Sequence, residues 1–131
     1  MYGKRLITAA LALLMMGLTG CSRTVEDVAK WEASGNIEKL TEALFDPKME
    51  VREAALQSLG NLKEESAVDD IAACFNDSED SVVLASVNTL AAMESTSTVT
   101  PLIAALKLDN PAAQMTAAEA LGALKAPSAV R

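Results

Sequence analysis

Residues 46–60 read DPKMEVREAALQSLG, and this stretch decides the fold. Its apolar side chains recur every three to four residues, which indicates a helix with one buried stripe. Residues of the same kind stand 31 and 62 positions further along the chain. The aligned sets are Val51, Val82 and Ala113; Ala55, Ser86 and Ala117; Leu59, Leu90 and Leu121; and Leu62, Met93 and Leu124. A fixed period of this size predicts a solenoid of stacked units whose stripe is buried throughout.

Each unit is predicted to contain a short helix followed by a longer one. Asp46-Pro47 and Asn110-Pro111 mark two of the breaks between them, since a capping side chain there precedes a proline suited to a first helical turn. The predicted fold class is all-α, a short α-solenoid of helix pairs. Its repeats would be residues 38–68, 69–99 and 100–130.

Residues 24–37 are predicted to form a leading half-unit. Thr24 followed by Asp27 has the spacing of a capping box, and so does Ser66 followed by Asp69 at the second unit. Trp31 would close the hydrophobic end of the stack, although an exposed tryptophan that contacts a partner is the alternative.

The stretch 46–60 resembles the HEAT-like repeats of the phycobilisome-lyase type. That family combines short helix pairs with an Asp-Pro turn, a Val-Arg pair and an Ala-Ala…Leu-Gly ending. The resemblance covers residues 37–130 and is loosest in the second unit, where Val83 and Ala91 replace the arginine and the glycine. It implies a helix-pair solenoid and carries no catalytic residue onto this chain. Residues 100–105 also resemble an ankyrin repeat, without its histidine.

The chain begins with a pattern typical of a secretory signal. Lys4 and Arg5 precede 13 apolar residues that end at Leu18, whereas a membrane-spanning helix needs about 20. Leu18-Thr19-Gly20-Cys21 resembles the lipobox of bacterial lipoproteins. The resemblance implies that residues 1–20 are a lipoprotein signal peptide and that Cys21 becomes the lipidated first residue of a domain spanning 21–131. An ordinary secretory signal is the alternative.

Ser22 follows the predicted lipidated cysteine. Lipoproteins of Gram-negative bacteria that lack aspartate at this position resemble those sorted to the outer membrane, and this chain has serine there. The expected location is therefore the bacterial cell envelope, on the periplasmic side of the outer membrane if the source is Gram-negative.

The composition excludes several function classes. Removing residues 1–20 leaves nine basic against 18 acidic residues, a net charge of −9, which disfavours nucleic acid as a partner. The chain has no histidine, so Ser-His-Asp and Cys-His catalysis and histidine-bearing zinc sites are excluded. We expect no metal, no cofactor and no enzymatic activity. Asp77, Glu79 and Asp80 come nearest to a calcium loop but lack its glycine and closing glutamate.

A solenoid acts through equivalent positions in successive units. Two columns lie opposite the buried stripe of the longer helices, and we predict that they form a strip for a protein partner on the concave face. The strip consists of Leu84, Met115, Gln57, Asn88 and Glu119. Leu84 and Met115 could instead pack on a neighbouring unit or be isolated apolar residues.

The predicted function is that of a membrane-anchored, non-enzymatic scaffold or adaptor for an unidentified protein partner. Two alternatives remain open at this point. One is a self-associating structural protein, in which Ile103, standing where Thr41 and Ala72 lie in the other units, marks a sticky terminal unit. The other is an accessory subunit of a lyase-like enzyme.

Overall fold

The structure is a computed structural model that describes the backbone of residues 22–129 and the side chains of residues 22–125. Within that range it contains seven α-helices and no β-strand. They are α1 (Val25–Ser34), α2 (Ile37–Ala43), α3 (Met49–Leu62), α4 (Val68–Ala73), α5 (Asp80–Met93), α6 (Val99–Ala105) and α7 (Pro111–Ala129). The predicted all-α class is confirmed.

The helices repeat with the period of the sequence. The short helices α2, α4 and α6 begin at residues 37, 68 and 99, and the long helices α3, α5 and α7 begin at 49, 80 and 111. Each long helix packs against the next, with α1 on α3, α3 on α5 and α5 on α7, while each short helix packs on the long helix of its own unit. The chain is therefore a short solenoid with a spacing of 31 residues.

A continuous apolar core runs through the stack, and most of the predicted stripe lies in it. Its fully buried large residues include Val28, Leu40, Leu44, Val51, Leu56, Leu59, Ile71, Val82, Val87, Leu90 and Leu102. Leu62 was predicted to be buried but is 37% exposed, because it is the last residue of α3 and lies where the helix leaves the stack. Trp31 packs partly buried against the core, as a residue closing the end of the stack should.

The last unit is capped by a smaller side chain. Leu56 and Val87 are buried, whereas Ala118, the equivalent residue of α7, is exposed. No further unit covers α7 in the described range, so an alanine there leaves little apolar surface in water.

The helix starts follow the predictions only in part. The Thr24 hydroxyl accepts the Asp27 amide and the Asp27 carboxylate accepts the Thr24 amide, which is the predicted capping box. The box at Ser66 was wrong, because a 3₁₀ turn over Glu65–Ala67 precedes α4 and the Ser66 hydroxyl donates to Glu64.

The two proline turns differ from each other. Asn110 caps α7 as predicted, since its side-chain oxygen accepts the Ala113 amide and Pro111 is the first helical residue. Asp46 does not cap α3, because its carboxylate accepts the Lys48 amide while the helix begins one residue later, at Met49.

In the described part of the chain, none of the helices combines the length and hydropathy that crossing a bilayer requires. Residues 1–21 lie outside the described residues. This holds for the predicted signal peptide and for Cys21.

Candidate functional site

The long helices form one side of the solenoid, here called the second-helix face, on which α3, α5 and α7 lie side by side. A groove of about 350 Å³ separates α3 from α5. It is lined by Glu53, Gln57, Gly60, Asn61, Ala85, Asn88, Thr89 and Ala92. Two of the five predicted partner-binding residues, Gln57 and Asn88, thus face each other across one groove, and both are exposed.

A second groove lies beside the first, between α5 and α7. Its volume is about 580 Å³, and its lining is Ala91, Glu94, Thr116, Glu119, Ala120, Ala123 and Leu124. Glu119 is exposed and belongs to this groove. Gln57, Asn88 and Glu119 thus form a column of equivalent positions. The first two residues line the first groove and the third lines the second, as expected for stacked equivalent units.

The apolar members of the predicted strip behave differently from its polar members. Leu84 is only partly exposed and packs against the core, in keeping with the alternative of a packed side chain that its sequence position left open. Met115 is 64% exposed. Neither residue lines either groove.

Small residues and one buried hydroxyl determine how closely the long helices approach. Thr89 donates to the carbonyl oxygen of Leu56 at 3.1 Å, across from α5 to α3, and to that of Ala85 at 2.8 Å. A Cβ on Gly60 would lie 3.2 Å from the methyl group of Thr89. The floor of the first groove is consequently narrow, because α3 and α5 approach closely there. The polar side chains of the groove stand on its walls.

The charge of the grooves is one-sided. Glu53 lines the first groove, and Glu94 and Glu119 line the second, while the lining residues of both include no lysine or arginine. Opposite charges across an interface steer association and suppress wrong partners. The two grooves of the second-helix face therefore carry acidic side chains with no lysine or arginine among their lining residues, on walls that are otherwise largely apolar.

A second notable region of the solenoid is the edge where its turns lie. An ion-pair network that the sequence analysis missed stabilises it. The turn edge is defined here as residues 44–48, 75–79 and 106–110, where each short helix connects to the following long one. Arg52 lies with Nε 2.8 Å from one carboxylate oxygen of Asp77 and donates from Nη2 to the other at 3.0 Å. It also donates to the backbone oxygen of Asp46 at 2.8 Å. Both side chains are 11% exposed, so the pair links units one and two in a poorly hydrated place.

Arg23 makes the corresponding contact at the start of the domain. Its guanidinium lies 2.8 Å from Glu42 and 3.4 Å from the buried carboxylate of Asp46. The available signal was the pair of aspartates spaced by 31 residues, Asp46 and Asp77, with an arginine 23 residues before the first and 25 before the second.

Cys74 lies behind this turn edge and is 2% exposed. Burial, together with the nearby carboxylate of Asp77, raises the pKa of its thiol to about 12. Its sulfur is 3.9 Å from the backbone oxygen of Leu44. A thiol in this state is a small buried side chain and a poor nucleophile.

The acidic loop considered for calcium is arranged around other contacts. The carboxylate of Asp77 is occupied by Arg52 and by the Glu79 amide. Among residues 22–129, no group of three or more acidic or cysteine side chains gathers in a way that could hold a metal ion.

Comparison with known proteins bears on the family. A search of curated proteins finds no match. The family model described as HEAT repeats matches residues 7–91, which is more than half of the chain. The first part of this match, before residue 22, lies outside the described residues. The third unit lies beyond the end of the match but repeats the same helix pair at the same spacing. The chain belongs to the HEAT-repeat family.

Proposed function

We propose that this protein is a non-enzymatic scaffold of the bacterial cell envelope that binds a protein partner on its second-helix face. A lipid on Cys21 would hold it to the membrane, on the periplasmic side of the outer membrane in a Gram-negative cell. HEAT repeats commonly serve as protein-interaction scaffolds. The anchor rests on the sequence pattern around Leu18-Thr19-Gly20-Cys21.

The observation that carries the partner-binding proposal is the register of the two grooves. Gln57, Asn88 and Glu119 occupy equivalent positions in three units and line two adjacent grooves on one face. A partner segment lying across the long helices would meet a repeated set of polar groups at fixed spacing. A rigid scaffold lowers the entropy lost on binding, because the surface is already ordered.

Site-specific photocrosslinking tests the interaction face. A benzophenone amino acid would replace Gln57, Asn88 or Glu119 one at a time in cells that produce the full chain. Glu38, an exposed residue of the short helix α2, is the matched control. We expect one discrete crosslinked product from the groove positions and none from position 38. Crosslinking of equal intensity at all positions would contradict the assignment of the face.

Placing a cation in each groove tests the same surface, with the crosslink from Gln57 as the readout. Asn88→Arg and Glu119→Arg place cations in the two grooves at exposed positions that should tolerate them. The crosslink from Gln57 should weaken in both variants, while Glu38→Arg should leave it unchanged. Circular dichroism of each variant checks that the fold is kept.

The membrane anchor has its own test. Intact mass measurement of the protein from the membrane fraction should show a chain that begins at Cys21 with acyl chains attached. Cys21→Ser should move the protein from the membrane fraction to the soluble fraction. A chain that retains residues 1–20, or an unmodified Cys21, would rule out the anchor.

Self-association is the second candidate, because the short helix of the last unit exposes apolar side chains. Ile103 and Leu106, at the end of α6, are 48% and 39% exposed. Sedimentation of the protein in detergent over a range of concentrations tests this candidate. A mass that rises with concentration and falls back in Ile103→Lys would support it, and a constant monomer mass would reject it.

A further inference from the structure

We propose that the turn edge of the solenoid rests on the lipid bilayer, with the Phe45 side chain inserted between the lipid headgroups. This inference rests on the proposed lipid anchor at Cys21 and adds an orientation to it. The occupant of the edge is thus the same membrane that holds the acyl chains.

Very little free chain separates the proposed anchor from the folded domain. Arg23 is bound to Glu42 and Asp46 at 2.8 and 3.4 Å, and Thr24 is fixed by the capping box that begins α1. Only Ser22 separates Arg23 from Cys21. At roughly 3.4 Å per extended residue, the domain must lie within about 10 Å of the lipid-bearing sulfur.

The contacts of Arg23 show which part of the domain lies near this short connection. Arg23 binds Glu42 and Asp46, the carboxylates on either side of the end of α2, so its side chain reaches the turn edge. Phe45 lies next to Asp46 in the same turn. A tether of this length at this position brings the first turn to the membrane before any other part of the domain.

Exposed apolar side chains are more frequent at the turn edge than at the opposite edge of the solenoid. Phe45 is 59% exposed, the largest such fraction among the aromatic residues of the described chain. Met49 begins α3 directly after the first turn, Leu106 lies in the third turn, and both are exposed, as is Val25 at the start of α1. The opposite edge, formed by residues 63–67 and 94–98, carries exposed lysine, glutamate, serine and threonine, and only Leu62 borders it. Aromatic and long apolar side chains favour the membrane interface, whereas short polar side chains do not.

Charge decides how the edge is tilted. Lys48 in the first turn is exposed and can approach lipid phosphates, whereas the exposed Lys107 of the third turn is accompanied by an exposed Asp109. The second turn instead carries Glu79, with Asp80 following it, both exposed. The first turn, which combines the tether, Phe45 and a lysine, should therefore lie deepest.

A fluorescent label at position 45 tests the orientation. Phe45→Cys would be made in a Cys74→Ala background, where the sulfur of lipidated Cys21 is blocked as a thioether. The lipidated protein would be labelled with an environment-sensitive nitrobenzoxadiazole maleimide and reconstituted into phosphatidylcholine vesicles. Ser66→Cys on the opposite edge is the matched control. Vesicles with a nitroxide on the upper acyl chain then measure contact of the label with lipid.

We expect a blue-shifted emission and strong nitroxide quenching at position 45, and water-like emission with little quenching at position 66. Equal, water-like emission at both positions would overturn the inference and leave the anchor intact. A blue shift without quenching by lipid would also overturn it, because the label would then be covered by protein, either a partner or a second copy. Intact mass without acyl chains would show that the anchor itself had failed.

Arg23→Gln provides a second measurement in the same vesicles. It keeps the lipid and the repeat units but removes the cation that fixes the tether to Glu42 and Asp46. Quenching at position 45 should fall towards the value at position 66, because the domain can then rotate about a longer free segment. Unchanged quenching would show that Arg23 does not set the orientation.

Discussion

The first two turns and the third turn of the solenoid connect equivalent helices, yet different interactions hold them. Asp46 and Asp77 occupy one column of the repeat, and each pairs with an arginine that comes from the preceding unit or from the leading segment. Leu108 takes the same position in the third turn and packs against the core. The arginine that would pair with an aspartate there is also missing, since Val83 stands where Arg52 lies and is buried.

This comparison shows that both members of the pair change together. An aspartate at position 108 opposite Val83 would be left without a cation in a partly buried place, which is costly. The backbone contact survives the exchange, however. Gln114 donates to the backbone oxygen of Leu108 at 2.6 Å, as Arg52 does to that of Asp46 at 2.8 Å. The repeat therefore conserves the geometry of the turn while it changes the chemistry between units.

The largest effect should come from removing the charged link between units one and two. Arg52→Ala leaves Asp77 poorly hydrated without its cation and removes the donor to Asp46, so we expect the free energy of unfolding to fall by about 2–3 kcal/mol. Gln114→Ala, the equivalent change in the third unit, removes one exposed neutral hydrogen bond and should cost about 0.5–1 kcal/mol. Urea denaturation followed by circular dichroism measures both. Equal losses would show that the ion pair adds nothing to the backbone contact.

The next prediction exchanges one kind of turn for the other. Leu108→Asp and Val83→Arg should each destabilise the protein by about 1–2 kcal/mol, because each places a charge where an apolar side chain is covered. In the double variant the two charges can pair as Arg52 and Asp77 do, and we expect the loss to be smaller than the sum by about 1 kcal/mol. A strictly additive double variant would mean that the third turn cannot accommodate the pair.

The fold could be derived from the sequence because the core positions repeat. Val51, Val82 and Ala113 are buried for the same reason in three units, and one helical period was enough to find them. Leu62 and Ser66 were wrongly predicted because they lie at a helix end and in a 3₁₀ turn. Burial and hydrogen bonding there depend on the path of the chain between units, which the helical period does not specify.

The candidate face could be predicted only for its polar members. Gln57, Asn88 and Glu119 point away from the buried stripe, so a wheel of each helix places them on the surface, where they line the grooves. Leu84 packs partly buried against the core, and a wheel of its own helix does not show that packing. The sequence analysis assigned no role to Arg23, because its partners Glu42 and Asp46 lie about 20 residues away in sequence and meet it only in the folded stack.

Two glycines extend the comparison of the first and third units to the long helices. A Cβ on Gly60 would lie 3.2 Å from the Thr89 methyl group, whose hydroxyl is held by two carbonyl oxygens, so Gly60→Ala should lower stability by about 1 kcal/mol. A Cβ on Gly122 meets nothing within 4 Å. Gly122→Ala should raise stability by about 0.5–1 kcal/mol through helix propensity. Thermal unfolding of both variants checks this, and a stabilising Gly60→Ala would mean that α5 can move away from α3.

The smallest effect compares Cys74 with its equivalents in the other units, Ala43 and Ala105, which are fully buried. Cys74→Ala should change stability at neutral pH by less than about 1 kcal/mol, because the site already accepts alanine elsewhere. The two proteins should differ in alkaline solution. The thiol has a pKa of about 12 in the folded protein and an ordinary value of 9.0, so the folded chain keeps a proton that the unfolded chain has released.

Stability of the parent protein should therefore fall as the pH rises above about 9, by an amount that the alanine variant lacks. Urea denaturation of both proteins between pH 8 and pH 10.5 isolates this difference, since all other titrating groups are shared. Parallel pH profiles would mean that Cys74 reaches water in the folded state. The turn edge around Cys74 and Asp77 would then be open to water. The first two turns would be less tightly closed than the buried link between Arg52 and Asp77 implies.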